Sequence, residues 1–261
     1  MTPAKKRFGQ NFLSDARYID SIIRAVPENL GQVIVEVGPG QGAITTQLAA
    51  KAGKLIAVEI DRDLSPLLRE KFAAYPHVSI VEQDFLKADL RDFAPDNKPL
   101  TIVGNLPYNV ASLILLKLIK ERALVKDAFV MLQREVGERI TAQPGRKEFS
   151  FLSVAIGTFA IPKRLFLLPA GAFRPVPKVE SAFLHIAMRQ PGPGISDTEK
   201  YFALISHAFS QRRKKVINVL GRHYPPDTIQ AFFRDKAIDV NARAESLSTD
   251  IYVELYRALN G

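Results

Sequence analysis

An amide, a rigid ring and an aromatic face stand close together at Asn105, Leu106, Pro107 and Tyr108, directly after the apolar run LTIVG at 100–104. The Asn105 side-chain oxygen and the Leu106 backbone carbonyl are two neighbouring hydrogen-bond acceptors, and Pro107 fixes the direction in which the chain leaves them. Such a pair suits the N–H groups of a planar exocyclic amine. The lone pair of that amine is delocalised into its ring, and two acceptors facing its hydrogens favour the pyramidal nitrogen that attacks an alkyl carbon. Tyr108 adds a flat face for a base, and base–aromatic stacking is worth roughly 1–3 kcal/mol. Asn and Pro are also ordinary turn residues, so the tetrapeptide takes its meaning from its surroundings.

Those surroundings offer a nucleoside site. In VEVGPGQGAITTQLA, Gly38, Gly40 and Gly42 lie between a strand pattern and a helix pattern, where glycine permits a tight turn and close approach of a ligand to the backbone. Glu59, followed by Ile60, ends the run LIAVEI at 55–60. A carboxylate about 20 residues beyond such a turn accepts from the hydroxyls of a ribose. Asp84 and Phe85 follow VSIVEQ at 78–83 and offer an acceptor for an adenine amine and a ring to cover its face. The G-P-G-Q-G spacing lacks the G-x-G-x-x-G that brings a pyrophosphate to a helix N-terminus. An adenosine with an amino-acid tail, as in S-adenosylmethionine (SAM), fits these residues better than a dinucleotide. Its sulfonium already activates a methyl group, so the chemistry needs no metal and no strong general base.

The elements that must position these groups alternate in the first half of the chain. VIVEVG (33–38), LIAVEI, VSIVEQ and LTIVG are short apolar runs separated by amphipathic stretches, which predicts βαβ units and a parallel sheet buried on both faces. Ligands of such sheets sit beyond the carboxyl ends of the strands. Upstream, KKRFGQNFL forms an arm, and Ser14 is expected to cap a helix carrying Ile19, Ile22, Ile23 and Val26. AFVMLQ (128–133) and SAFLHIAM (181–188) read as further strands, whereas periodicity does not settle FLSVAIGTFA (151–160). The loop RQPGPGISD marks a domain boundary. Beyond it the pattern is helical, with Ser196 and Glu199 as a capping box and Gly221 ending a helix that carries RRKKVINVL.

The 261 residues are 47% apolar, enough for an α/β domain with a smaller appendage. There is no cysteine, and four histidines lie scattered without ligand spacing, which removes disulfides and thiolate metal sites and makes zinc unexpected. No apolar run approaches a membrane span and no apolar segment follows the basic start, so a soluble, unexported, cytoplasmic protein is expected. A net charge of +9 suggests an anionic partner. On residues alone, three readings stay open: an RNA amino-methyltransferase, an amino-methyltransferase acting on DNA or a protein amide, and a non-catalytic nucleic-acid-binding protein that keeps the fold.

KRFGQNFL, VEVGPGQGAIT, NLPYNV and FRPVPKVESA, in that order, resemble the bacterial small-subunit ribosomal RNA adenine N6,N6-dimethyltransferases from about residue 5 to the final helices. The resemblance implies a Rossmann-like class I SAM-dependent methyltransferase sheet over 1–189 with an N-terminal arm, and a small all-helical rRNA-binding domain over 195–261. It implies that Asn11, Leu13, Gly38, Gly40, Glu59, Ile60, Asp84, Phe85 and Asn105 line the SAM site. Tyr108 and Phe173 would sandwich the target adenine, and Asn105 and Leu106 would hold its amine. The substrate would be two adjacent adenosines in the 3′-terminal hairpin of 16S rRNA, within a 30S subunit or its precursor. The sequence departs from the family at NVAS after the tyrosine, where many relatives have isoleucine and then Ser-Thr-Pro. Pro39 and Leu106 favour the small-subunit branch over the antibiotic-resistance branch that modifies large-subunit rRNA. Arg212, Arg213, Lys214 and Lys215, read as part of a helix, and Arg146 and Lys147 in a loop are the expected phosphate contacts. With no zipper-like segment, a monomer is expected.

Overall fold

The four apolar runs of the first half become parallel strands of one sheet in a computed structural model that describes residues 10–260. The elements are β1 (Phe12–Leu13), α1 (Ala16–Ala25), β2 (Asn29–Val37), α2 (Ala43–Leu48), β3 (Ala52–Glu59), α3 (Leu64–Lys71), β4 (Val78–Glu82), β5 (Leu100–Asn105), α4 (Ala111–Lys120) and β6 (Val125–Gln133). There follow α5 (Arg134–Ile140), α6 (Phe151–Phe159), β7 (Ala160–Leu168), β8 (Phe173–Arg174), β9 (Ser181–Met188), α7 (Thr198–Phe209), α8 (Val216–Leu220), α9 (Pro226–Asp235) and α10 (Thr249–Asn260). The large sheet runs β4-β3-β2-β5-β6-β9-β7. β4 to β6 are parallel and β9 is antiparallel to β6. β2 therefore has β3 on one side and β5 on the other, the point where an open α/β sheet reverses strand order and leaves a crevice.

The runs are apolar because the strands are covered on both faces: Ile34, Val35, Leu55, Ala57, Ile102 and Val103 are all buried. On one face Ile19, Ile22, Ile23 and Val26 pack with Leu48, Val103, Phe129, Met131 and Phe183. β5 and β2 approach so closely at Gly104 that a Cβ there would lie 2.6 Å from the Val37 carbonyl oxygen. Only glycine fits at that crossing.

The chain divides into two compact units, one taking the residues up to Gly137 with Lys163–Met188, the other Glu138–Pro162 with Arg189 onward. The expected boundary at 189–195 is thus corrected for Glu138–Pro162, which joins the helical unit. The ambiguous run 151–160 explains why. It is mostly helix α6, apolar all round because it packs on α7 and α10. Phe159 meets the Tyr201 ring edge-on, and the Thr158 hydroxyl lies 2.8 Å from that of Tyr201.

Three local expectations also change. The cap of α1 is Asp15, which accepts from Arg17 N, while Ser14 donates to the Ala172 carbonyl at 3.2 Å. The cap of α7 is Asp197, which accepts from Lys200 N, and the Ser196 hydroxyl lies 3.1 Å from that of Tyr256. In both cases a neighbouring aspartate caps and the serine is drawn to a tertiary partner. Residues 211–215 form no helix: they are the turn between α7 and α8, and Gly221 ends α8 as expected.

Candidate active site

β2, β3 and β5 deliver their carboxyl ends side by side, and around them lies a small cavity of about 100 Å³ lined by residues 10–13, 36, 38–41, 43–44, 59–60 and 105–108. Asn11, Leu13, Gly38, Gly40, Glu59, Ile60, Asn105, Leu106, Pro107 and Tyr108, separated by up to 97 positions in sequence, are thus brought to one place. The lysine, arginine and glycine of the arm at residues 5–9 lie outside the described residues.

The glycine turn is held from beneath. Gly40 has φ +59, a left-handed conformation, and a Cβ on it would lie 2.8 Å from the Phe12 ring. Both the backbone and the ring thus require glycine. The Glu59 carboxylate is buried and accepts from Gly40 N at 3.0 Å through one oxygen and from Asp61 N at 2.9 Å through the other. Burial pushes its pKa up, against the pull of these two backbone donors. Each carboxylate oxygen keeps a second lone pair, which leaves room for a hydroxyl ligand. Ile60, 42% exposed, presents an apolar face to the same cavity.

Glu36, one residue from the end of β2, does not stand out in the sequence because it sits inside an apolar run. It is 1% exposed, lines the cavity, and its Oε2 has no hydrogen-bond partner among the described residues. Burial pushes its carboxyl pKa up to about 7, opposed by the Thr45 hydroxyl and the Lys71 ammonium and reinforced by Glu59. A buried oxygen without a partner costs about 1–3 kcal/mol, more when charged. Such an oxygen fits a cationic ligand.

The tetrapeptide is oriented from two sides. Asn105 Nδ2 donates to the Asn11 carbonyl at 2.8 Å, which orients the amide and turns Oδ1 away from that carbonyl. Leu106 N donates to the Met131 carbonyl at 2.9 Å, anchoring the loop to β6. The half-buried Tyr108 has its hydroxyl 2.7 Å from Ser181 Oγ, and Ser181, at the start of β9, is fully buried. Burial raises the Tyr108 pKa, with the serine hydrogen bond opposing. Ser181 is a second residue the sequence does not single out, although it stands inside the quoted FRPVPKVESA.

Three expected residues lie elsewhere. Phe173 is fully buried, its register partner is Leu13, and its ring joins the core with Leu168, Ala172 and Phe183. In this structure Phe173 thus holds the arm against β8 and does not line the cavity. Phe85 is 5% exposed and lies, with Asp84, outside the cavity lining. Burial turns Phe85 inward, and Asp84 Oδ1 accepts from Leu86 N at 3.0 Å. In the second unit, Arg212 donates to the carbonyls of Lys147 at 2.6 Å and Phe149 at 3.1 Å. The guanidinium joins the two basic segments, so Arg146, Lys147, Arg213, Lys214 and Lys215 stand exposed around one anchored turn.

Among known proteins, the family model described as "Ribosomal RNA adenine dimethylase" matches residues 1–260. The Ribosomal RNA small subunit methyltransferase A of Xanthomonas oryzae pv. oryzae is 42% identical over 254 residues, covering 97% of this chain and 95% of that one. Of solved structures, the 23S rRNA methyltransferase ErmE aligns with a TM-score of 0.74 at 25% identity, covering 96% of this chain and 100% of that one. A dimethyladenosine transferase from Plasmodium falciparum aligns with a TM-score of 0.81 at 22% identity, covering 94% and 95%, a likeness of fold.

Proposed function

The chain belongs to the ribosomal RNA adenine dimethylase family, and from that premise we propose that it is the SAM-dependent enzyme that dimethylates N6 of two adjacent adenosines in the 3′-terminal hairpin of 16S rRNA. It acts in the cytoplasm, as a monomer, on the 30S subunit or its precursor. Identity of 42% to a small-subunit methyltransferase, against 25% to a large-subunit one, supports the choice of subunit.

The residues present fit SAM. The orphan oxygen of Glu36 suits a cationic group, Glu59 the ribose hydroxyls and Ile60 the adenine face, with the glycine turn and Asn11 and Leu13 closing over the rest. Bound there, SAM supplies a methyl group already activated by its sulfonium. A cavity of about 100 Å³ is smaller than the roughly 300 Å³ where small-molecule sites begin, so holding SAM would require the lining, with the Phe12 ring over Gly40, to open.

One observation carries the reading of the chemistry: the hydrogen bond from Asn105 Nδ2 to Asn11 fixes Oδ1 as an acceptor beside the Leu106 carbonyl. These two acceptors hold the N–H groups of the target amine and draw its nitrogen out of conjugation. Tyr108, pinned by Ser181, holds the base. As the nitrogen gains a methyl it gains positive charge, which the acceptors stabilise until an N–H proton passes to water. The base reaches this loop only after leaving its helix.

The test is methyl transfer from labelled SAM to small ribosomal subunits lacking dimethyladenosine, with mapping of the products. Two dimethyladenosines near the 3′ end are expected from the wild type, and Asn105→Ala should lower kcat by about 10²–10³. Subunit binding without methyl transfer by the wild type would instead make the chain an assembly factor that keeps the fold.

A further inference from the structure

Asp61 stands two residues beyond Glu59, is 1% exposed, and has no part in the chemistry above. Its Oδ1 accepts from Asp63 N at 3.1 Å, the local turn that aspartate commonly makes. Its Oδ2 serves the arm, accepting from Gln10 Nε2 at 3.0 Å across 51 positions of sequence. A buried carboxylate needs such donors, and a bond to a charged acceptor is roughly twice as strong as one between neutral groups. The backbone N–H of Asp61 is also the donor that holds Glu59.

The Gln10 bond gains its importance from the residue that follows. The carbonyl of Asn11 accepts from Asn105 Nδ2 at 2.8 Å. Beyond it, Phe12 and Leu13 pair with β8 and Ser14 donates to the Ala172 carbonyl. The Asn11 carbonyl is thus tethered on its C-terminal side by β1 and on its N-terminal side by Gln10. The two ends of a carboxamide have nearly the same shape, but one accepts and the other donates, and rotation about its last bond is broad and roughly two-fold. Asn105 therefore has two settings. One presents an oxygen to the target amine, and the other sets N–H against N–H. A carbonyl fixed at Asn11 selects the first.

We propose that Asp61, acting through Gln10, is a positioning residue for Asn105: the latch holds the Asn11 carbonyl still, and that carbonyl keeps the Asn105 oxygen toward the reacting amine. The proposal rests on the role given to Asn105 above and extends it to two residues outside the reacting groups. Because Asp61 N also holds Glu59, one residue ties the cofactor side of the cavity to the target side.

The test compares wild type, Gln10→Ala, Gln10→Glu, Gln10→Glu/Asp61→Asn, Asn105→Ala and Gln10→Ala/Asn105→Ala by kcat at saturating SAM and subunits, with the Asn105 side-chain amide followed by heteronuclear NMR. Gln10 is only partly buried, so its replacement should leave the core intact. Gln10→Ala should lower kcat by about tenfold, inside the range that a displaced catalytic group brings. It should also shift the Asn105 amide protons and speed their exchange with water. In the Asn105→Ala background the same change should cost nothing further, since both act on one amide. Gln10→Glu sets two carboxylates face to face and should lower kcat more. Adding Asp61→Asn restores a donor and acceptor pair, and should return most of the activity and the wild-type amide signal. An unmoved amide signal in Gln10→Ala, a raised KM for SAM with kcat unchanged, full additivity with Asn105→Ala, or no rescue by Asp61→Asn overturns the proposal. If the wild type binds subunits without methylating them, the functional reading falls while the amide signal of Gln10→Ala still decides the latch.

Discussion

Glu36 sets a conflict between burial and charge inside the cofactor cavity. Its carboxyl is pushed up to about 7 by burial, whereas an unfolded glutamate titrates near 4.3. Between those values the folded chain holds more protons than the unfolded one, so stability is fully present below the lower value and is lost as pH rises to the higher. Glu36→Gln should flatten this loss in denaturant unfolding followed from pH 5 to 8, with a gain of up to about 4 kcal/mol at pH 8. If the buried oxygen meets a cationic group of SAM as proposed, the same variant should also bind SAM more weakly. Tyr108 and Ser181 make a second residue-scale case. Ser181→Ala frees the Tyr108 hydroxyl, and Tyr108→Phe removes it, so each should lower methyl transfer by a few fold. The double variant should be no worse than either single one, since the two changes cut one hydrogen bond. A fluorescent adenine analogue at the target position would report the same loss as weaker quenching, and full additivity would show that the two side chains act apart.

The arm is the element on which the cavity depends. β1 pairs with β8, Ser14 and Asp15 both donate to the Ala172 carbonyl, and Phe12 lies on Gly40. Phe12→Ala should open the cavity, so SAM association and release in stopped flow should both quicken. Unchanged rates would mean that the ring is not what closes the site. This pairing also shows where sequence is legible and where it is not. The βαβ runs, the glycine turn, Glu59 and NLPY announce themselves because local pattern and local chemistry coincide there. Phe173 has the composition of a stacking face, yet its position opposite Leu13 is a property of a pairing across 160 residues, and no local pattern carries it. Glu36 and Ser181 are hidden for the same reason: their roles are set by burial and by a partner strand. The caps shifted by one residue because Ser14-Asp15 and Ser196-Asp197 each present two capping side chains in succession. The charges of 211–215 had no apolar period to place them, and they form a turn.

At the scale of the molecule, the basic surface of the second unit and the chemistry of the first respond to different perturbations. Among the described residues Arg213 makes no side-chain hydrogen bond, so Arg213→Ala should weaken subunit binding and its salt dependence while thermal stability holds. Arg212→Ala should weaken binding and also lower the melting temperature, because its guanidinium ties Lys147 and Phe149 to the turn. A calorimetric scan beside a binding titration separates the two. In the mechanism proposed for the first unit, the Asn105 oxygen and the Leu106 carbonyl would grip the target through its hydrogens alone. Adenine brings two of them, monomethyladenine one and dimethyladenine none. On that proposal the grip would weaken with each round and vanish when nothing more can be added, so the pair of acceptors would act as a counter, stopping the reaction at two and letting the finished nucleotide go without any device for expelling it.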